Sequence, residues 1–254
     1  MAELSAWKWV FLVLGSILAG VSKAGIAGLG VLTVAMFANV LPARESTGVL
    51  LPLLICGDFV AVSLYRRHAV WPHLIKLSPW VAGGVVLGFF AMGHLQDEKL
   101  FRRFLGAILL GLVVSHLWRR RSMIGNREQG EDRIPHQLWF ASLMGVMAGF
   151  TTMVANASGP IMILYFLAMR LSKMEFLGTG AWFFLCVNLL KVPFSYRLEL
   201  ITRRSLALDR RLAVFVAAGT VVGHLLVGRI NQRQFETLAL SFTALAALRM
   251  LTGD

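Results

Sequence analysis

The sequence predicts an all-α integral membrane protein made of two homologous repeats, each of about four transmembrane helices. Three observations lead there. Hydrophobic residues fill 57% of the 254 positions and charged residues only 15%, with a mean hydropathy of +0.70. The charges are bunched, leaving apolar stretches of membrane-spanning length at 47–64, 104–118, 178–190 and 212–227. A soluble helix needs polar residues along one face, and these stretches lack them. Finally, the same small-residue motifs recur in both halves at nearly constant offset.

Taken in order, the first half opens with a long apolar stretch, 7–40, followed by spans at 47–64, 78–93 and 100–118. A polar, basic linker, 119–137, leads to the second half. There the long stretch is 138–169 and the spans are 178–196, 212–228 and 234–251. The domain division is therefore 1–118, 119–137 and 138–254. Gly84-x-x-x-Gly88 matches Gly219-x-x-x-Gly223 at offset 135, Thr47-Gly48 matches Thr179-Gly180 at 132, and Ala19-Gly20 matches Ala148-Gly149 at 129. Lys8 followed by 10–14 has the look of a signal peptide. Its counterpart deep in the chain assigns the segment to the mature protein instead. The Gly-x-x-x-Gly pairs predict close helix packing.

The long first stretches cannot be simple helices. Thirty-odd residues at about 1.5 Å each would reach roughly 50 Å, against a hydrocarbon core of about 30 Å. Each carries a break: Ser22-Lys23-Ala24-Gly25-Ile26-Ala27-Gly28-Leu29-Gly30 in the first half, Thr151-Thr152-Met153-Val154-Ala155-Asn156-Ala157-Ser158-Gly159-Pro160 in the second. Glycine, small polar residues and proline all lower helix propensity. Unwound backbone at membrane depth is tolerated where protein or a water-filled cavity covers it, so paired breaks point to a binding site.

Topology follows from charge. If each long stretch crosses once, the loops 65–77, 119–137 and 197–211 share a side and carry thirteen Lys/Arg. The opposite loops carry six. The bias predicts a multi-pass protein of the cell membrane with both termini cytoplasmic and the halves in parallel orientation.

A net charge of +12 could suggest nucleic acid as a partner, but the clusters Arg66-Arg67, Arg119-Arg120-Arg121, Arg203-Arg204 and Arg210-Arg211 sit between apolar runs, where positive charge orients membrane helices. Nucleic acid is excluded. Cys56 and Cys186 lie in apolar runs without metal-like spacing and read as buried thiols, and His116 and His224 show no metal pairing. The sequence implies no metal and no cofactor.

At the breaks the chain resembles the TauE/SafE family of sulfite exporters and organosulfonate permeases. The motifs are Ser22-Lys23-x-Gly25-x-x-Gly28-Leu29-Gly30, Pro42-Ala43-Arg44-Glu45-Ser46, Tyr65-Arg66-Arg67-His68-Ala69-Val70-Trp71, Ala155-Asn156-x-x-Gly159-Pro160, Gly178-Thr179-Gly180-Ala181-Trp182-Phe183-Phe184 and Asn188-Leu189-x-Lys191-Val192-Pro193-Phe194-Ser195. They run through nearly the whole chain. Ala35 stands where the family's pattern has a proline. The resemblance implies about eight spans and a substrate that is an anion of a sulfur or carbon oxyacid.

Lys23 is a full charge far along an uncharged run, which marks a functional candidate; its bland reading is a lysine snorkelling to the surface. With the free backbone N–H groups of Ser22, Gly25, Gly28 and Gly30 it would make an anion site. Thr151, Thr152, Asn156, Ser158 and Gly159 are the second-half counterparts, offering neutral donors; their bland role is to bond a broken helix to its neighbours. The two breaks are expected to meet near midmembrane. Asp58 is the acid well inside a span, and Lys191 lies within one residue of its matching place. The pair reads either as a structural ion pair or as a proton-coupling site.

These features describe a secondary transporter of a small anion, working by alternating access on an ion gradient, with an anion channel of the same fold as the alternative. No Gly-x-Ser-x-Gly, His-Glu-x-x-His, paired carboxylates or nucleotide loop is present, so no enzyme is expected. The partners are the anion, protons or another coupling ion, and the lipid bilayer; a homo-oligomer is left open.

Overall fold

The computed structural model describes residues 5–24, 29–94 and 138–231, with isolated positions at 114 and between 234 and 248. The expected linker 119–137, Gly25, Gly28, His116 and nearly all of the spans 100–118 and 234–251 lie outside the described residues. Those described form eight helices: α1 (Ala6–Ala24), α2 (Gly30–Val40), α3 (Ala43–Tyr65), α4 (Trp71–His94), α5 (Leu138–Ala155), α6 (Gly159–Ala168), α7 (Lys173–Arg197) and α8 (Arg203–Val227). All but α2 and α6 are long and apolar enough to cross a membrane. This is a multi-pass membrane protein.

Local sequence sets the boundaries. Capping boxes start α7, with Ser172 and Glu175, and α8, with Thr202 and Ser205, each satisfying helix N–H groups that would otherwise lack partners. Helix α5 stops because Asn156 takes a left-handed conformation, φ 51°, which asparagine tolerates better than most residues. Pro160 at the start of α6 fits the first helical turn.

An apolar core is accompanied by an apolar exterior and by buried polar groups. Phe59, Ile75, Leu87, Phe90, Val214 and Leu225 face outward, whereas Asp58, Lys191, Asn188, Thr179 and Thr220 are buried. Cys56 and Cys186, read from sequence as buried, are exposed on this apolar surface. In an apolar run every face is apolar, so the run alone does not say which side meets lipid.

The helices pack through glycines. A Cβ on Gly84 would stand 2.2 Å from the carbonyl oxygen of Val146, and one on Gly219 would stand 2.2 Å from that of Ile17. Likewise Gly149 abuts the Val81 carbonyl and Gly20 the Val216 carbonyl. Helix α4 thus lies against α5, and α8 against α1, at backbone-to-backbone distance.

These contacts also fix direction. Ile17 meets Gly219 and Val21 meets Gly223, so α1 and α8 run parallel. Gly48 meets Leu200 and Gly57 meets Val216, so α3 runs with them. Gly15 against Phe37 and Gly30 against Ser22 show α2 folding back along α1. Phe140 stacked on Tyr165 shows α6 doing the same along α5. Helix α7 opposes α3, with Gly178 beside Tyr65 and Asn188 bonded to Asp58.

The expected single crossing of each long stretch is therefore corrected. Each stretch is a hairpin whose second arm, 11 residues in α2 and 10 in α6, spans only about 15 Å and cannot cross a core of about 30 Å. The parallel orientation of the halves falls with it, since α3 and α7 are antiparallel. The turn at 65–70 stands at one end of the bundle beside Lys173, whose ammonium donates to the Val227 and Ile230 carbonyls. The turn at 198–202 stands at the other end, with Ala6 and Ala43. Loops 65–77 and 197–211 thus do not share a side. Among the described residues, basic side chains occupy both ends, Arg66, Arg67 and Arg170 against Lys8, Arg203 and Arg204, so these alone give no orientation.

Candidate functional site

The described residues flanking both breaks reach the bundle interior between α3 and α7. A cavity of about 90 Å³ lies there, lined by Ser22, Lys23 and Gly30 from the first break, by Thr152, Asn156, Ser158, Gly159 and Pro160 from the second, and by Thr33, Phe184 and Asn188. Of the residues singled out in the breaks, the structure brings together Ser22, Lys23, Gly30, Thr152, Asn156, Ser158 and Gly159. Thr151 is buried with its hydroxyl on the Ala148 carbonyl, 3.3 Å away, and does not line the cavity.

The charged centre differs from the expected Asp58–Lys191 pair. The Lys23 ammonium stands 2.7 Å from Asp58 Oδ1 and 4.4 Å from the centre of the Phe184 ring, within reach of a cation–π attraction. The ion pair lacks hydrogen-bond alignment. Asp58 Oδ2 is tied more firmly, accepting from Asn188 Nδ2 at 2.7 Å. Asn188 stands where Lys191 was expected. The two are three residues apart on α7 and share a face of that helix, so the helix face alone does not say which of them meets Asp58.

Lys191 points one turn away, 1% exposed. Its ammonium donates to Asn156 Oδ1 at 2.5 Å, Thr152 Oγ1 at 3.1 Å and Asn188 Oδ1 at 3.2 Å. Three acceptors match the three donors of an ammonium, and all three are neutral. The amide orientations follow, because Asn188 presents oxygen to the lysine and nitrogen to the carboxylate. Asn156 likewise gives its oxygen to Lys191 and its nitrogen to the Thr47 carbonyl, 3.2 Å away. A chain of polar contacts therefore runs from Lys23 through Asp58, Asn188 and Lys191 to Asn156, joining one tip to the other. Among the described residues the centre holds two cations and one anion.

Two further features face the cavity. Gly30 opens α2 and Gly159 opens α6, and neither helix has a side-chain cap at its N-terminus. Helix N-termini carry partial positive charge and N–H groups without helical partners. The Thr33 hydroxyl is 1% exposed and has no partner among the described residues. The cavity therefore combines hydrogen-bond donors with positive potential.

Sequence reading missed Asp209. It lay in the expected loop 197–211, but the structure places it in the second turn of α8, 5% exposed, with neither carboxylate oxygen partnered among the described residues. The neighbouring Arg210 and Arg211 hid it by giving the segment a polar look. No group of three or more potential metal ligands occurs among the described residues.

A family model described as sulfite exporter TauE/SafE matches residues 12–250. No curated protein and no solved structure matches the chain.

Proposed function

The chain belongs to the sulfite exporter TauE/SafE family, a family of membrane transporters rather than enzymes, and from that footing we propose that it is a secondary carrier for a small oxyanion. The substrate is sulfite, an organosulfonate or a related carboxylate, held in the cavity between the two hairpin tips and moved by alternating access across the cell membrane. The observation that carries this reading is the convergence of Lys23 and the uncapped starts of α2 and α6 on one cavity, beside a second buried ammonium, Lys191. Half-helix N-termini aimed at an anion near midmembrane are a recurrent device of carriers built from repeats. The channel alternative is not carried forward, since the family consists of exporters.

Gene duplication accounts for the architecture. The contact of Gly84 with Val146 and that of Gly219 with Ile17 are related by the offsets 135 and 129 found between the halves, as are those of Gly149 with Val81 and Gly20 with Val216. Such exchanged pairs support two copies related by a pseudo-twofold axis through the site.

The test is ligand-induced thermal stabilisation of purified protein by sulfite, sulfate, methanesulfonate and acetate. At least one sulfur oxyanion should raise the unfolding temperature by mass action. The rise should vanish in the double variant Lys23→Gln/Asp58→Asn, which removes both charges together. If that double variant is stabilised as much as wild type, the anion sits elsewhere.

A further inference from the structure

The buried charges at the site can be counted. With both ammonium groups protonated and the carboxyl ionised, Lys23 and Lys191 contribute two positive charges and Asp58 one negative among the described residues, leaving one positive charge unmatched in that state. Asp58 is 0% exposed and Lys191 1% exposed, so water does little to screen them, and unbalanced charge in such a setting is costly. A monovalent anion in the cavity brings the sum to zero. A divalent anion brings it to minus one, and the imbalance then falls on Asp58, which faces the cavity through Lys23.

The geometry shows where the compensation would go. Lys23 lines the cavity with its side chain 10% exposed, and its contact with Asp58 Oδ1 is a pairing of charges without hydrogen-bond alignment. Lys191, with three acceptors around it, has no such freedom. An anion arriving among the starts of α2 and α6 draws Lys23 toward itself. Asp58 is then left with the neutral donor Asn188 alone on Oδ2.

We propose that a divalent oxyanion enters this site together with one proton, which Asp58 takes as Lys23 turns to the anion, whereas a monovalent anion enters without one. The inference rests on the carrier reading above. The balance is simple: the dianion and a proton enter, an O–H bond forms on Oδ1, and no bond breaks. Of the buried carboxyls among the described residues, Asp58 is the one in contact with a cavity-lining cation, while Asp209 does not line the cavity, which makes Asp58 the receiver. Helix α1 presents Lys23 to Asp58, and α7 presents Asn188, Lys191 and Cys186. Its own helix presents Cys56. Helix α8 places the neutral Val216 and Thr220 against Gly57, with Asp209 toward Cys56 and His224 bonded to Tyr65 beyond them.

The experiment uses sulfate and methanesulfonate, which stay divalent and monovalent throughout pH 6 to 8. Dissociation constants are taken from thermal stabilisation of the purified full chain. Methanesulfonate affinity should be flat with pH, while sulfate affinity should fall about tenfold per unit rise, the slope for one linked proton. In Asp58→Asn the sulfate slope should disappear. Should that variant not fold, proton uptake by wild type in weakly buffered solution decides: about one proton per sulfate bound and none per methanesulfonate. If both anions bind without a slope or uptake, the inference is wrong and the carrier reading stands. Sulfate failing to bind at pH 6 where methanesulfonate binds, or a slope that persists in Asp58→Asn, overturns the inference as well. If neither anion stabilises the protein, the anion-site reading falls and takes the inference with it.

Discussion

At the scale of single residues, the buried centre is held by reciprocal need. Removing one partner of a buried ion pair strands the other, at a cost of about 3–5 kcal/mol. Lys23→Ala should therefore destabilise the protein by about that much through Asp58, before any effect on a ligand. Adding Asp58→Asn should recover most of the loss, and thermal unfolding of both singles and the double gives the coupling. Asn156 makes a second expectation. Its left-handed backbone and its bonds to Lys191 and Thr47 mean that Asn156→Ala should cost about 3 kcal/mol, from strain of about 1–2 kcal/mol and lost hydrogen bonds to a charge. Asn156→Gly should recover the strain alone. Lys23 and Asp58 were legible in the sequence, because a lone charge in an apolar run stands out. Their pairing was not, since it depends on how α1 packs against α3, and whether Asn188 or Lys191 meets Asp58 depends on the packing of two residues that share one face of α7. Nor was Asp209, which shares its helical turns with two arginines.

At the scale of elements, glycine sets how closely helices approach. A Cβ on Gly149 would stand 2.1 Å from the Val81 carbonyl oxygen, whereas one on Gly83 would meet nothing within 4 Å. Gly149→Ala should therefore force α4 and α5 apart and cost about 3 kcal/mol, the upper range for overpacking. Gly83→Ala, on the same helix pair, should be neutral or stabilising by a few tenths of a kcal/mol, since alanine favours helix. Melting temperatures of the two variants in one detergent make the comparison. The Gly-x-x-x-Gly spacing carried this information in the sequence because it states a surface directly. The fate of the breaks was harder to read. Glycine, serine and asparagine would serve a kink or a reversal equally well, and what decides is that α2 and α6 are too short to finish a crossing and pack back along α1 and α5.

At the scale of the molecule, those two reversals change everything that was inferred from charge. A stretch that turns back contributes no net crossing, so the loop 65–77 after the first reversal changes side relative to a single-pass count, while the second reversal restores the count for the loop 197–211. Helices α1, α3 and α8 run one way and α4, α5 and α7 the other, which sets the 65–70 and 198–202 turns at opposite ends. On the proposed duplication the two halves then face the membrane in opposite senses, the arrangement in which the proposed carrier site would open alternately to either side by exchanging the roles of its repeats. Single cysteines placed at His68 and at Ile201, in a background with Cys56 and Cys186 replaced by serine, test this in intact cells. A membrane-impermeant thiol reagent should modify one of the two and spare the other until the membrane is permeabilised, and a cysteine at Ser5 should behave as the one at Ile201. Modification of His68→Cys and Ile201→Cys from the same side would return the long stretches to single crossings and remove the inverted relation on which the proposed alternating access rests.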